Sequence, residues 1–511
     1  MNHKLIEKQV PINLIMNIVS FIIKVLIGLW IVPYLVQNIG LIAYGLVPLS
    51  LFFAEYVSVI IESFNSALNR YLLVSLQKKD YTVANEIFNT SLVLAIIFIF
   101  IQSVIMTVII LNLEEVINVP KDFLNDAYWL FTLTFIGFSF SLIRGIFTTP
   151  LFSSNRLDLI KTTEITNVII NATITIILFY LYDPSLKSVG IAFLSASFIS
   201  LLLSIYFKNK IVPSLSIKLK KFNSQKVKDL TSMGGWVLVT QVGSLLFLKF
   251  DLFIANKFLG SLEAANYALV LQWNSLIRAM AAVISGIMTP IIMIYYAHNQ
   301  FDKLVNMLKI GIKTISLLIA IPIAIIIGFS ENILNIWIGP EYNHIRHLLA
   351  FSLIPLIISV SITPLFAVTI AYNKVKIPGL ISIIFGLLSL ATSITLVIYT
   401  DYQLYAIIFG SAFMLTLKNG LLIPIYSAHI MKIKLTSFIY YPFIGLIYFI
   451  IILLIAKLLN NYIIYLSFSS LLLMISVTGI ISLILLYLYS FQDKDINFLL
   501  KKILKRGKNE K

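Results

Sequence analysis

Apolar residues run through this chain in about fourteen stretches, each close to twenty residues long, with only short polar breaks between them. An α-helix rises ~1.5 Å per residue, so about twenty apolar residues cross a ~30 Å hydrocarbon core. The pattern predicts helices over Ile12–Val36, Leu46–Asn69, Ser91–Leu113, Ala127–Pro150, Thr163–Tyr182, Val189–Phe207, Gly234–Phe258, Tyr267–Ile292, Leu308–Phe329, Leu348–Ala371, Ile377–Ile398, Leu404–Tyr426, Ser437–Leu458 and Ile463–Tyr489. The fold class is all-α integral membrane, with about 14 transmembrane helices. The first stretch is too long for a cleaved signal peptide and reads as a retained span.

The pattern also repeats at an offset near 220 residues. Gly40 matches Gly260, Arg70 matches Pro290, and Pro120 matches Pro340. Thr149-Pro150-Leu151-Phe152 returns as Thr363-Pro364-Leu365-Phe366, and Asp183 returns as Asp401. Each repeat holds six helices, an even number, so both insert the same way up, as two lobes about a central site. The expected organisation is an N-terminal six-helix lobe (1–207), a basic linker (208–231), a C-terminal six-helix lobe (232–430), two additional helices (431–490) and a basic amphipathic tail (491–511).

Charge changes the picture by its placement. The 511 residues carry 38 Lys and Arg against 22 Asp and Glu, a net charge of +16. Of the 38, 29 fall on the side of the N-terminus and only Lys121, Lys187, Arg346 and Lys457 on the other; the remaining five lie inside helices. The positive-inside rule then puts both termini in the cytoplasm. The basic excess is topological, and no nucleic-acid partner is needed. In the tail, Phe491, Ile496, Leu499, Leu500, Ile503 and Leu504 recur at helical spacing beside lysines, a pattern suited to an anionic leaflet.

Absences narrow the function. There is no cysteine, so no disulfide or thiolate chemistry is available. There is no G-x-x-x-x-G-K-S/T loop and no G-x-S-x-G elbow, and the five histidines are scattered. No catalytic residue, metal site or cofactor is expected. A membrane glycosyltransferase would need a large catalytic outer loop, which the spacing leaves no room for.

Polar residues inside the spans are the informative ones, because a charge at the bilayer centre costs at least ~2.5 kcal/mol. Helix one carries Asn13, Asn17, Ser20 and Lys24 on one face; helix two carries Glu55, Ser58, Glu62, Asn65 and Asn69 on one face. The repeat of the helix-two face holds Ser275, Arg278, Ser285 and Thr289, and that of the helix-one face holds Thr240, Ser244 and, further on, Asp251. If these stripes converge, they line a chamber with Lys24, Glu55, Glu62, Asp251 and Arg278. Cations there suit phosphate, and carboxylates suit a coupling H⁺ or Na⁺. The bland alternative is ion pairing of Lys24 with Glu55 or Glu62 and of Asp251 with Arg278. Lys257 and Lys418 are expected near helix ends, snorkelling; Arg70 and Arg144 are expected to be topogenic; Lys249 has no evident partner. Pro290, Pro322, Pro355 and Pro364 are candidate kinks.

Gly40, Tyr44 and Gly45, together with Asp251, Gly260 and Tyr267 in the segment DLFIANKFLGSLEAANYA, resemble the signatures that open the two halves of MOP superfamily flippases. Within that superfamily the chain looks most like the polysaccharide-transporter branch, the Wzx-type O-antigen and capsule flippases. The resemblance implies a two-lobed alternating-access carrier of undecaprenyl-diphosphate-linked oligosaccharide, partnered by membrane lipids and other polysaccharide assembly proteins. The alternatives are a MATE-type cation-coupled multidrug exporter, a lipid II flippase, and a non-transporting membrane scaffold.

Overall fold

The computed structural model describes residues 3–227, 238–239, 241–243, 245–247, 250–462 and 467–492, with backbone only at 3–8, 10, 57–67, 70, 77, 219, 287, 290 and 490–492. Among the described residues there is no strand. Twelve helices there are long and apolar enough to cross a bilayer, and the helix Leu41–Gln77 is longer than any of them needs to be. The predicted spans Gly234–Phe258 and the tail at 493–511 lie wholly or partly outside the described residues.

A helix makes its backbone hydrogen bonds within one segment, which is what a lipid environment demands. Their outward faces are apolar: Phe100, Leu111, Tyr180 and Leu454 are all more than half exposed. On a water-soluble protein so much exposed apolar surface would drive aggregation.

The internal repeat is written in the backbone. Gly40 and Gly260 both adopt the left-handed region, at φ 85° and 97°. Each opens a 37-residue helix, Leu41–Gln77 and Ser261–Ala297. Both helices are followed by a non-glycine residue with positive φ, Lys79 at 58° and Asn299 at 54°. Asn155 and Asn373 form a further matched pair, at 57° and 53°. Helix two thus starts at Leu41, five residues before the expected Leu46, because Gly40 is the true break. The next helix starts at Tyr81, where Asp80 accepts a hydrogen bond from the Val83 N–H as its cap. Its polar first turns carry it beyond the hydrophobic run that marked its predicted start at Ser91.

The chain packs as two compact units, 1–269 with 379–407, and 270–378 with 408–511. In the first, helix Leu124–Ser153 packs most closely on Leu186–Ile211. A Cβ on Gly137 would come within 2.8 Å of the Phe193 ring, so glycine sets that spacing. Gly45 lies against its own repeat equivalent, Ala265; a Cβ there would sit 2.7 Å from the Ala265 Cβ. In the second unit, helix Phe301–Gly328 packs on Tyr440–Asn460, the first of the two helices outside the repeat. Gly328 meets Ala456, Gly445 meets Ser316, and Ser316 Oγ donates to the Pro442 carbonyl at 2.6 Å.

One predicted span is not continuous. The stretch expected as Leu348–Ala371 is built as Arg346–Leu353, Leu356–Ser359 and Thr363–Ala371. Pro355 and Pro364 stand at the starts of the second and third pieces, where a missing N–H does no harm. The basic linker is also structured at its beginning. Asn85 and Asn89 of helix Tyr81–Leu111 bridge its backbone: Asn85 Nδ2 donates to Ser214 O, Asn89 Nδ2 donates to Ser216 O, and Lys218 N donates to Asn89 Oδ1 at 2.7 Å.

Candidate functional site

The helix-one stripe faces helix Leu157–Leu181. Asn13 is buried; its Nδ2 donates to the Asn155 carbonyl at 3.0 Å and its Oδ1 accepts from the Asp158 N–H at 3.1 Å. Two to three turns on, Lys24 Nζ lies 2.5 Å from Glu164 Oε2. Among the described residues the carboxylate that Lys24 meets is Glu164; the bland alternative named Glu55 or Glu62, and the side chain of Glu62 lies outside the described residues. Lys161 also binds Glu164, at 3.0 Å, and Arg144 is within electrostatic reach of it. Three cations thus surround one carboxylate. Arg144, expected to be topogenic, belongs to this cluster. The repeat equivalent of Glu164 is Ser382, which is buried, so the cluster is peculiar to the first half.

Asp251 is 2% exposed. It accepts a hydrogen bond from the Tyr267 hydroxyl at 3.1 Å, and Tyr56 of helix two is within electrostatic reach. Phe52, Phe250 and Phe253 enclose this corner, with ring centroids 5.4–6.0 Å apart. Glu55 neighbours Tyr56 on the same helix and is half-buried. The side chains of Glu62, Ser58 and Asn65 lie outside the described residues, as do Lys249, Thr240 and Ser244.

The second unit holds the other cations. Arg278 Nε donates to Asn274 Oδ1 at 2.7 Å, and Asn274 Nδ2 donates to Ser352 Oγ at 2.9 Å. Ser285, one of the predicted stripe residues, shares a 2.5 Å hydrogen bond with Thr363 at the break between helical pieces. Lys418 is within electrostatic reach of Arg278 and is 4% exposed. It does not snorkel. It opens a π-helical turn, Lys418–Leu422, well inside the span Leu404–Ile430, and the widened turn re-aims it inward. Lys257, by contrast, is exposed and donates to the Glu115 carbonyl near a helix end.

A second π-turn, Ala255–Leu259, holds a feature the sequence did not announce. Asn256 is fully buried. Its Oδ1 accepts from the Asn118 N–H at 2.7 Å, its Nδ2 donates to the Asn118 carbonyl at 3.1 Å, and its own carbonyl accepts from Asn118 Nδ2 at 2.5 Å. Ser261 Oγ adds a bond to the Asn118 carbonyl at 2.7 Å. This latch ties the loop after helix three to the start of the second repeat.

Among the described residues, twelve helices long and apolar enough to span, a repeat marked by paired left-handed turns and charged groups buried inside those helices define a multi-pass membrane protein. Its fold is that of the MATE transporters. A MATE-family multidrug transporter of the MOP superfamily, in an inward-facing conformation, superposes with a TM-score of 0.63 at 15% identity over 82% of this chain and 99% of that one. The MATE transporter VcmN of Vibrio cholerae, in a bent form, gives 0.56 at 14% identity over 86% and 98%. The family model described as "Polysaccharide biosynthesis protein" matches residues 12–296, more than half of the chain, and the chain belongs to that family of the MOP superfamily. It is 28% identical to "Uncharacterized membrane protein EpsK" of Bacillus subtilis over 83% of this chain and 84% of the relative. It is 21% identical to "Putative O-antigen transporter" of Shigella flexneri over 65% and 77%. The chain is thus a membrane transporter of the polysaccharide-synthesis family.

Proposed function

We propose that this transporter flips undecaprenyl-diphosphate-linked oligosaccharide from the cytoplasmic to the outer leaflet for surface polysaccharide assembly. The observation that carries the reading is Lys418 buried within reach of Arg278 inside the membrane-spanning region. A diphosphate laid between a guanidinium and an ammonium can take charge-assisted hydrogen bonds from both. Arg278 brings a planar fork and Lys418 a point charge. The cluster of Lys24, Lys161 and Arg144 about Glu164 supplies a second cationic patch in the first half. A drug exporter selecting organic cations would gain from the opposite sign. The name of the Shigella relative points the same way.

In this proposal the carboxylates couple transport to an ion. Asp251 binds H⁺ or Na⁺ beside Tyr267, with Glu55 and Glu62 on the adjoining helix, and the bound ion biases one conformation over the other. The two lobes, with both termini in the cytoplasm of the bacterial inner membrane, rock about the bound headgroup.

The test is a strain lacking this gene, complemented with wild type, Arg278→Ala or Lys418→Ala. The reading expects wild type alone to restore surface polymer, and both variants to leave the lipid-linked oligosaccharide accumulated inside. Full restoration by the double variant would reject the cationic site.

A further inference from the structure

The two helices outside the repeat build something of their own. Where Tyr440–Asn460 ends against the end of Phe301–Gly328, a cavity of about 520 Å³ opens, lined by Glu331, Arg346, His347, Lys457 and Asn461 among others. All of these belong to the second compact unit. Charge distribution makes the cavity unusual. Only four Lys and Arg lie on the side assigned to the outside, and two of them, Arg346 and Lys457, line this one cavity.

The chemistry is specific. Arg346 Nη1 lies 2.8 Å from Glu331 Oε2, and its Nε donates to His347 Nε2 at 3.3 Å. The ion pair is too exposed to hold the fold together, at 41% and 55% side-chain exposure. The Arg346 Nη2 makes no hydrogen bond among the described residues. Lys457 makes no hydrogen bond or ion pair among the described residues. Glu331 balances Arg346, so Lys457 gives the cavity a net positive charge. Leu454, one turn before Lys457, and Leu458, the next residue after it, are more than half exposed and form its apolar rim. Gly328, which lines the cavity, packs closely against Ala456 of the same helix as Lys457.

We propose that this cavity binds the phosphate of an anionic lipid headgroup, with Lys457 and Arg346 on the phosphate and the acyl chains leaving over Leu454 and Leu458. A free phosphate would satisfy the same cations but has no use for the apolar rim. The site is separate from the Arg278–Lys418 pair, and its test reads no transport.

Purified protein is examined by native mass spectrometry with phosphatidylglycerol, with diacylglycerol of the same chains, and with inorganic phosphate. The expected result is retention of phosphatidylglycerol but of neither control. Lys457→Glu, and the milder Lys457→Gln, should weaken that retention about tenfold or more, the loss of one charge-assisted hydrogen bond. Lys121→Glu, the same charge change on the same predicted side but outside the cavity, should leave it unchanged. Equal retention of diacylglycerol, equal loss in Lys121→Glu, or undiminished binding in both Lys457 variants would overturn the proposal. Inorganic phosphate binding as tightly as the lipid would reassign the cavity to a free anion and overturn the lipid assignment.

Discussion

Asn256→Ala is the most instructive single change. The wild-type side chain is fully buried and exchanges two hydrogen bonds with the Asn118 backbone, at 2.7 and 3.1 Å. Alanine removes both. Asn118 is itself exposed, so water can reach its freed N–H, and its carbonyl keeps the bond from Ser261 Oγ, which keeps the loss near the net value of about 1 kcal/mol per bond rather than the full penalty of a buried orphan. The total is about 2 kcal/mol, or roughly a 30-fold shift between latched and unlatched forms. The chain has no native cysteine, so a single Ile117→Cys reporter beside the latch is clean. Ile117 is fully buried while the latch is closed. Its modification by a membrane-impermeant maleimide, applied to intact cells, should accelerate by about that factor in the Asn256→Ala background. An unchanged rate would show that the latch does not control opening at this end, and that the buried amide is only packing.

Three further outcomes follow from particular contacts. Gly45→Val forces a branched side chain against Ala265, where even a Cβ would lie 2.7 Å away, and should lower stability by about 1–3 kcal/mol, read as an earlier thermal transition in detergent; a wild-type transition would contradict the close crossing. Asn89→Ala removes the bonds to Ser216 O and Lys218 N and should make the linker more sensitive to trypsin at Lys218, Lys220 and Lys221, whereas unchanged cleavage would mean that Asn85 alone holds it. Lys24→Glu and Glu164→Lys should each reduce function while the double reversal restores much of it; failure of the reversal would mean that the cation itself, not the pair, is required at position 24.

Spans, repeat and membrane class were legible because each rests on periodicity or length. Gly40 and Gly260 were visible as matched breaks, and the structure shows why: both sit at positive φ, where other residues are strained. What periodicity could not give was the orientation of single side chains. Lys418 was misjudged because a π-turn changes the register that a 3.6-residue period assumes. Its position well inside the span Leu404–Tyr426 was the signal available. Glu164 went unnoticed because the predicted helix began at Thr163, making it look terminal; the helix actually begins at Leu157, two turns earlier. Asn118 and Asn256 carry no sequence signal, since an asparagine in a loop or two residues from a predicted helix end is ordinary and the two lie 138 residues apart. The break between helical pieces at Pro355 and Pro364, by contrast, was present in the sequence as candidate kinks.

The central claim is that this protein moves a lipid-linked oligosaccharide. The most direct measurement reconstitutes the purified protein into liposomes carrying a fluorescent undecaprenyl-diphosphate sugar in both leaflets and follows quenching by an impermeant reductant. Without flipping, only the outer-leaflet half is quenched. The account predicts that wild type carries the signal past that plateau towards completion and that Arg278→Ala with Lys418→Ala stays at it. A wild-type protein that leaves the inner-leaflet fluorescence untouched, while exporting an organic cation under an ion gradient, would contradict the account.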